Sequence, residues 1–122
     1  MHNAKRVLIV EDEEALLFGL KKLLETETIV ISIARSLKEA ETLMHQIRYQ
    51  AVITDLRLSD AEMIEGYEVV ATARKLYPQC KIVVITANAD NGPRYRTAEQ
   101  MVDYFLPKPV PTPRIREILN AL

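Results

Sequence analysis

Polar residues that could bind a phosphoryl group and a divalent cation follow apolar runs in this 122-residue chain. Carboxylates bind hard cations, while hydroxyl and ammonium groups form hydrogen bonds to phosphoryl oxygens. The runs and the residues that end or follow them are Val7–Val10 with Glu11 and Asp12, Ala51–Thr54 with Asp55, Ile82–Ile85 with Thr86, and Tyr104–Pro107 with Lys108. Ligands bind at the carboxyl ends of parallel strands. If these runs are parallel strands, their polar residues form one site.

The elements that must position this site alternate along the chain. The β-branched run Ile29–Ile31 predicts a further strand, and apolar residues at helical spacing lie between the strands. This alternation predicts βαβ units with right-handed crossovers, and therefore a parallel sheet. The strands lack period-two polarity, which predicts burial on both faces. Each predicted helix has one apolar face. In the order first, second, third and last helix, these faces are Leu16, Leu17, Leu20, Leu23 and Leu24; Leu37, Ala40, Leu43, Met44 and Ile47; Tyr67, Val69, Val70, Ala73, Leu76 and Tyr77; and Ile115, Ile118, Leu119 and Leu122.

Local signals mark where the helices begin and end. Ser36 and Glu39 form a capping box, in which each side chain accepts a hydrogen bond from a free helix amide. Pro78 stops the third helix. Thr112 is predicted to cap the last helix, with Pro113 at its first position. The segment 88–93 breaks structure, and a short helix is predicted near residues 95–101.

Bulk properties exclude several classes of function. The net charge is −1 with both signs interspersed, so the chain has no basic field for nucleic acid. It shows neither a signal peptide nor a membrane span. Cys80 is the only cysteine, which excludes an internal disulfide and a cysteine-based zinc site and predicts a reduced, cytoplasmic location. His2 and His45 are far apart and are interpreted as ordinary surface residues.

The order and spacing of the strand-end residues resemble the receiver domain of bacterial two-component response regulators. Ala87 directly after Thr86 and Pro109 directly after Lys108 belong to the same pattern, and the resemblance covers essentially the whole chain. It implies an α/β fold, a doubly wound five-stranded parallel sheet of the flavodoxin-like (βα)5 type with strand order 2-1-3-4-5. It further implies one receiver domain over residues 1–122, with no output domain in this chain.

The resemblance also implies phosphorylation chemistry. Asp55 would accept a phosphoryl group from a sensor histidine kinase or phosphotransfer protein, and Thr86 and Lys108 would contact its oxygens. The domain would catalyse its own phosphorylation and slow dephosphorylation, and would not turn over an external substrate. Mg²⁺ would be the cofactor, bound directly by Asp12 and Asp55, mainly through water by Glu11, and by the backbone carbonyl of Arg57.

A conformational switch is part of the same resemblance. Thr86 would move toward the phosphoryl group, and Phe105 would rotate into the space it leaves. This would reshape the face formed by the fourth helix, fifth strand and fifth helix, through which the domain would contact an output domain or target, or form a homodimer. Phe105 could instead be simply a half-buried aromatic residue. The pair Lys108–Pro109 looks like the family's cis peptide bond.

Two regions depart from the family pattern. Ser59 stands where receivers usually carry a proline, and the nearest candidate glycine, Gly66, comes about three residues late. The loop 59–65 is therefore interpreted as lengthened, either as a tolerated insertion or as a change in kinase docking and phosphoryl access. Gly92–Pro93 and Met101–Val102 alter the usual output surface.

The sequence leaves open the roles of two residues, Arg57 and Asn88, and it allows two alternative functions to be weighed. Arg57 and Asn88 stand where the family tunes the lifetime of the acyl phosphate, and the Arg57 side chain could screen the attacking water or point to solvent. The alternative function is a non-phosphorylated receiver-like interaction module. An aspartyl-phosphate phosphohydrolase is disfavoured because Asp55-Leu56-Arg57 lacks a second aspartate. We expect no membrane contact and no direct nucleic acid contact.

Overall fold

A computed structural model describes residues 4–56, 64–86 and 100–122. Strands and helices alternate along these residues, as the apolar pattern predicts. The elements are β1 (Lys5–Val10), α1 (Glu14–Leu24), β2 (Ile29–Ala34), α2 (Leu37–Gln46), β3 (Ala51–Asp55), α3 (Ile64–Leu76), β4 (Lys81–Thr86), β5 (Tyr104–Pro107) and the C-terminal helix (Thr112–Asn120). Residues 100–101 are also helical and agree with the end of the helix expected near 95–101.

The five strands form one parallel sheet in the order β2-β1-β3-β4-β5. The chain runs outward from β1 to β2, crosses back to β3 and then continues to β5. The reversal lies between β1 and β3, where the carboxyl ends of parallel strands leave a crevice. The predicted fold class and strand order are confirmed.

The sheet is buried on both faces, which explains the lack of polar alternation in its strands. On one face, Leu8, Val10, Val52 and Val84 pack in a cluster with α2 and α3. The neighbouring residues of the same strands point to the other face and pack with α1 and the C-terminal helix. Three central strands with two apolar faces hold the site's backbone on a rigid support.

The predicted helix faces lie against these two clusters, with one exception. Leu17, Leu20 and Leu24 of α1 are buried, but Leu23 is 54% exposed. Leu23 falls at the margin of the apolar stripe, so helical spacing alone assigned it to the core incorrectly. The faces predicted for α2, α3 and the C-terminal helix all contact the core.

The helix ends confirm one predicted cap and correct another. The Ser36 hydroxyl accepts a hydrogen bond from the Glu39 amide at 3.2 Å, as predicted. The Glu39 carboxylate accepts from the amide of Arg35, the residue before the cap, at 3.1 Å, and not from a helix amide as predicted. The prediction that Thr112 caps the last helix is wrong. Thr112 is already helical, because the Pro111 carbonyl accepts the first helical hydrogen bond, from the Ile115 amide at 3.0 Å.

Side chains from α1 and the turn after it cover the outer backbone groups of β2, an edge strand. The Glu25 carboxylate accepts from the Ile31 amide at 2.9 Å, and the Lys21 ammonium donates to the Ile31 carbonyl at 2.6 Å. Two residues earlier, Thr26 and Ile29 exchange backbone hydrogen bonds. The hydrogen bond from Ile31 and the contact with Lys21 hold the pKa of Glu25 below its usual value.

Within the described ranges, no helix is both long and apolar enough to cross a bilayer.

Candidate functional site

The register of the sheet brings the predicted strand-end residues to one edge. Asp55 is aligned with Ile85 and Thr86 with Pro107, so β3, β4 and β5 end side by side. Glu11, Asp55 and Thr86 are the buried polar residues at this edge, 5%, 7% and 9% exposed. Charged groups this deeply buried require close partners.

Lys108 supplies that partner for two carboxylates. Its ammonium nitrogen lies 2.5 Å from Oδ2 of Asp55 and 3.8 Å from Oε1 of Glu11. Its amide donates to the Thr86 carbonyl at 3.0 Å, which extends the pairing of β4 and β5 by one residue. The Lys108–Pro109 peptide bond is cis, as the resemblance implied. Partial burial would lower the pKa of Lys108, but the contacts with Asp55 and Glu11 outweigh it and raise that pKa.

Glu11 lies in the most strongly perturbed environment of the site. Burial raises its pKa to about 7, and the neighbouring carboxyl groups of Asp12 and Asp55 add to the shift. Two contacts oppose it: the amide of Glu13 donates to Oε2 of Glu11 at 3.1 Å, and Lys108 is nearby. Asp12, by contrast, is exposed at the mouth of the site. Among the described residues of the site, acidic groups therefore outnumber the ammonium of Lys108.

The donor chemistry of this site suits a hard divalent cation. Carboxylate oxygens are the ligands that Mg²⁺ prefers, and a positive charge would offset the effect that the carboxyl groups of Asp12 and Asp55 have on Glu11. Within the part of the chain that the structure describes, no three His, Cys, Asp or Glu side chains are close enough together to form a metal-binding group. The predicted carbonyl ligand of Arg57 lies outside the described residues.

Gly66 supports the backbone directly after Asp55. Its amide donates to the Leu56 carbonyl at 3.2 Å. A Cβ atom at this position would overlap the Leu56 backbone and approach the Asp55 carbonyl, so only glycine fits. The sequence identifies Gly66 as a displaced family glycine but does not reveal this contact. The lone glycine early in α3 was the available signal.

The two predicted switch residues lie on neighbouring strands but differ in environment, and Phe105 is aligned with Val84, two residues before Thr86. Thr86 ends β4 and is buried, while Phe105 in β5 is half-buried and packs against the cluster under α2 and α3. These positions agree both with a switch and with an ordinary half-buried aromatic residue.

Cys80 is buried, and burial raises the pKa of its thiol to about 12, which disfavours a reactive thiolate.

Several sequence-based predictions fall outside the described residues. These are the roles of Arg57, Ala87 and Asn88, the break at Gly92–Pro93, and most of the lengthened loop. One boundary of that loop needs correction. The loop was predicted to extend over residues 59–65, but Ile64 and Glu65 belong to α3. Their apolar–acidic pair gave no start signal, so the helix was expected to begin near Tyr67.

Comparison with known proteins identifies the family. The family model of the response regulator receiver domain matches residues 7–120. The chain therefore belongs to the receiver domain family of two-component response regulators. Members of this family serve as phosphoacceptors rather than as turnover enzymes, and they interact with histidine kinases or phosphotransfer proteins and with output domains.

Individual relatives agree with this assignment. A response regulator receiver protein of Anaeromyxobacter sp. is 31% identical over 114 residues, covering 93% of this chain and 47% of the relative. The chain spans about half the length of the curated relatives it matches.

Two solved structures are close in fold. A response regulator protein of Burkholderia pseudomallei, with a phosphorylated aspartic acid, calcium ion and citrate, has a TM-score of 0.80 and 25% identity, covering 94% of this chain and 66% of that one. The response regulator TrrA of Thermotoga maritima, in complex with Mg²⁺ and BeF, has a TM-score of 0.77 and 28% identity, covering 96% of this chain and 97% of that one.

Proposed function

We propose that this receiver domain accepts a phosphoryl group on Asp55 within a two-component phosphorelay. The observation that carries the proposal is the contact of Lys108 with Asp55, beside the buried carboxylate of Glu11. Asp55 ends a central strand, so its carboxylate has a fixed direction at the edge of the sheet. The ammonium already lies where it can pair with an oxygen of the incoming phosphoryl group.

The proposed reaction is a transfer between two side chains. A carboxylate oxygen of Asp55 attacks the phosphorus of a phosphohistidine on a partner protein, the phosphorus–nitrogen bond breaks, and the imidazole leaves with its electron pair and takes up a proton. The product is an acyl phosphate on Asp55. Such transfers depend mainly on positioning and on neutralising charge. Lys108 pairs with one phosphoryl oxygen, and the Thr86 hydroxyl donates to another.

We assign the metal to the same edge. When bound, Mg²⁺ neutralises charge on the transferring phosphoryl group. Asp12 and Asp55 would hold it directly, Glu11 mainly through water, and the Arg57 carbonyl would complete the protein ligands. The Mg²⁺ and calcium ions named for the two related structures support a divalent cation. The excess of acidic groups around Glu11 supports it independently.

Incubation with acetyl phosphate and Mg²⁺, followed by intact mass measurement, tests the proposed phosphoacceptor. We expect a single phosphate adduct on the unchanged chain and none on Asp55→Asn, because the amide is a far weaker nucleophile than the carboxylate. Glu68→Gln, at an exposed position of α3, is the matched control and should keep the adduct. An adduct on Asp55→Asn would place the phosphoryl group elsewhere. A folded, Mg²⁺-binding chain without any adduct would favour the non-phosphorylated interaction module.

The remaining roles follow from this proposal. We propose that residues 1–122 act as one receiver domain, without turnover of an external substrate and without direct nucleic acid or membrane contact. A histidine kinase or phosphotransfer protein would be the phosphodonor, and an output domain or target would read the face around β5, where a homodimer could also form. A cytoplasmic location is supported by the single, buried Cys80.

A further inference from the structure

Arg74 of α3 contacts the residues directly before β5, at the end of the sheet opposite the proposed phosphorylation site. β5 is four residues long and, within the described ranges, pairs with β4 alone. Its residues are half-buried or exposed, whereas those of β3 are all buried. Apolar burial therefore holds β5 less firmly than the central strands, and its register needs other support.

Asp103, directly before β5, provides one part of that support. Its amide donates to the Ile82 carbonyl at 2.9 Å, and its carboxylate Oδ2 accepts from the Ile82 amide at 2.8 Å. The carboxylate thus takes the place of a backbone carbonyl as acceptor in the ladder. Asp103 is fixed to one residue of β4 at two points, which defines the register from its first residue onward.

Arg74, in the last turn of α3, provides the other part. It donates to Oδ2 of Asp103 at 3.0 Å and, through Nε and Nη2, to the Met101 carbonyl at 3.1 and 2.7 Å. Nη1 donates to the carbonyls of Pro78 and Cys80 at 2.8 and 2.9 Å. The planar guanidinium joins the residues before β4 to those before β5, which the point charge of a lysine could not do.

We propose that Arg74 and Asp103 are positioning residues that set the register of β5 and thereby the place of Lys108 in the site. The argument rests on the proposed role of Lys108 in phosphoryl transfer. The two ends of β5 are fixed by Asp103 on Ile82 and by the Lys108 amide on Thr86. A slip by one residue would turn every side chain of the strand to the other face and withdraw the ammonium from Asp55.

Hydrogen exchange of the phosphate-free protein tests the register directly. In Arg74→Gln, we expect exchange of the Asp103 and Lys108 amides to accelerate about tenfold or more, since charge-assisted hydrogen bonds are lost. Amides of β1 and β3 should keep their rates. Lys75→Gln, at the next and exposed position of α3, is the matched control and should change none of them. An equal acceleration in β1, β3 and β5, or no change at Lys108, would overturn the proposal.

Asp103→Asn gives a second test that preserves shape. The amide oxygen can still accept from Ile82 but loses the charge that pairs with Arg74, so the variant should fold and show the same pattern more weakly. The double variant should exchange no faster than Arg74→Gln alone, because both substitutions remove one shared contact. Additive effects would mean that the two residues act separately, which contradicts the proposal.

Measurements of Mg²⁺ affinity and of the phosphorylation rate distinguish a positioning role of Arg74 and Asp103 from a general effect on stability. In both variants Mg²⁺ affinity should not fall, because its proposed side-chain ligands lie at the ends of β1 and β3 and withdrawal of the Lys108 ammonium removes a charge that competes for Asp55. Phosphorylation by acetyl phosphate should slow about tenfold, as expected for a misplaced catalytic group. An unchanged rate in folded variants would refute the positioning role. If the unchanged chain takes up no phosphate, the proposed function fails, while the exchange measurements still decide the register of β5.

Discussion

At the scale of single residues, the acidic groups in the described part of the site compete for the ammonium of Lys108. Lys108 is closest to Asp55 and lies farther from Glu11, whose pKa is raised to about 7 by burial and by its acidic neighbours. In the absence of metal, a proton on Glu11 reduces the negative charge around Asp55. A cation bound beside Glu11 favours its ionised form, so metal binding and protonation are linked.

Mg²⁺ affinity should therefore depend on pH around neutrality. As the pH falls through about 7, Glu11 becomes protonated, and the affinity should drop, approaching tenfold per pH unit. Calorimetric titration in buffers of different ionisation enthalpy would measure both the affinity and the released proton. Glu11→Gln should bind Mg²⁺ more weakly but lose most of the dependence between about pH 6 and 8. An equally steep dependence in Glu11→Gln would show that another group titrates.

At the scale of elements, the strands were predictable because burial on both faces leaves a continuous apolar run. Thr112 shows the limit of local signals: a good capping residue stood one position inside the helix that it was expected to cap. The contact of Arg74 with Asp103 could not be read from the sequence at all, because it joins residues far apart in the chain. The approach of Gly66 to Leu56 likewise depends on how α3 packs on β3.

The fit of α3 on β3 can be tested with the two described glycines. Gly66→Ala should destabilise the protein by about 1–3 kcal/mol, because its Cβ would overlap the Leu56 backbone. Gly19→Ala in α1 meets no atom within 4 Å and should stabilise by about 0.5–1 kcal/mol through better helix propensity. Urea unfolding of both variants measures the two changes. Equal effects would mean that the close approach at Gly66 has no energetic consequence.

At the scale of the whole molecule, the proposed chemistry and the proposed output share β5. Lys108 follows the strand and reaches Asp55, while Phe105 within it packs on the core beneath α2 and α3. We therefore expect a change at Asp55 to reach the proposed partner surface through β5. The related chain in complex with Mg²⁺ and BeF suggests how to produce that change without a kinase.

NMR of the chain with Mg²⁺ and beryllofluoride would test this route. We expect the ring signals of Phe105 to shift as Thr86 moves toward the bound group, while the Phe18 ring, which is 51% exposed on α1, should keep its shifts and serve as the internal control. Asp55→Asn should abolish the response. Saturated binding with an unchanged Phe105 ring would show that this aromatic residue is only part of the core.

The side chains that bind outward backbone groups of β2 also affect how readily the protein aggregates. A sheet recruits further strands through the unpaired N–H and C=O groups of its outermost strand, which is how native domains aggregate. Here the outward groups of Ile29 and Ile31 are already bound by Thr26, Lys21 and Glu25. The two charged side chains also make a foreign strand costly to accommodate. These contacts therefore oppose the addition of a foreign strand at Ile29 and Ile31 of β2.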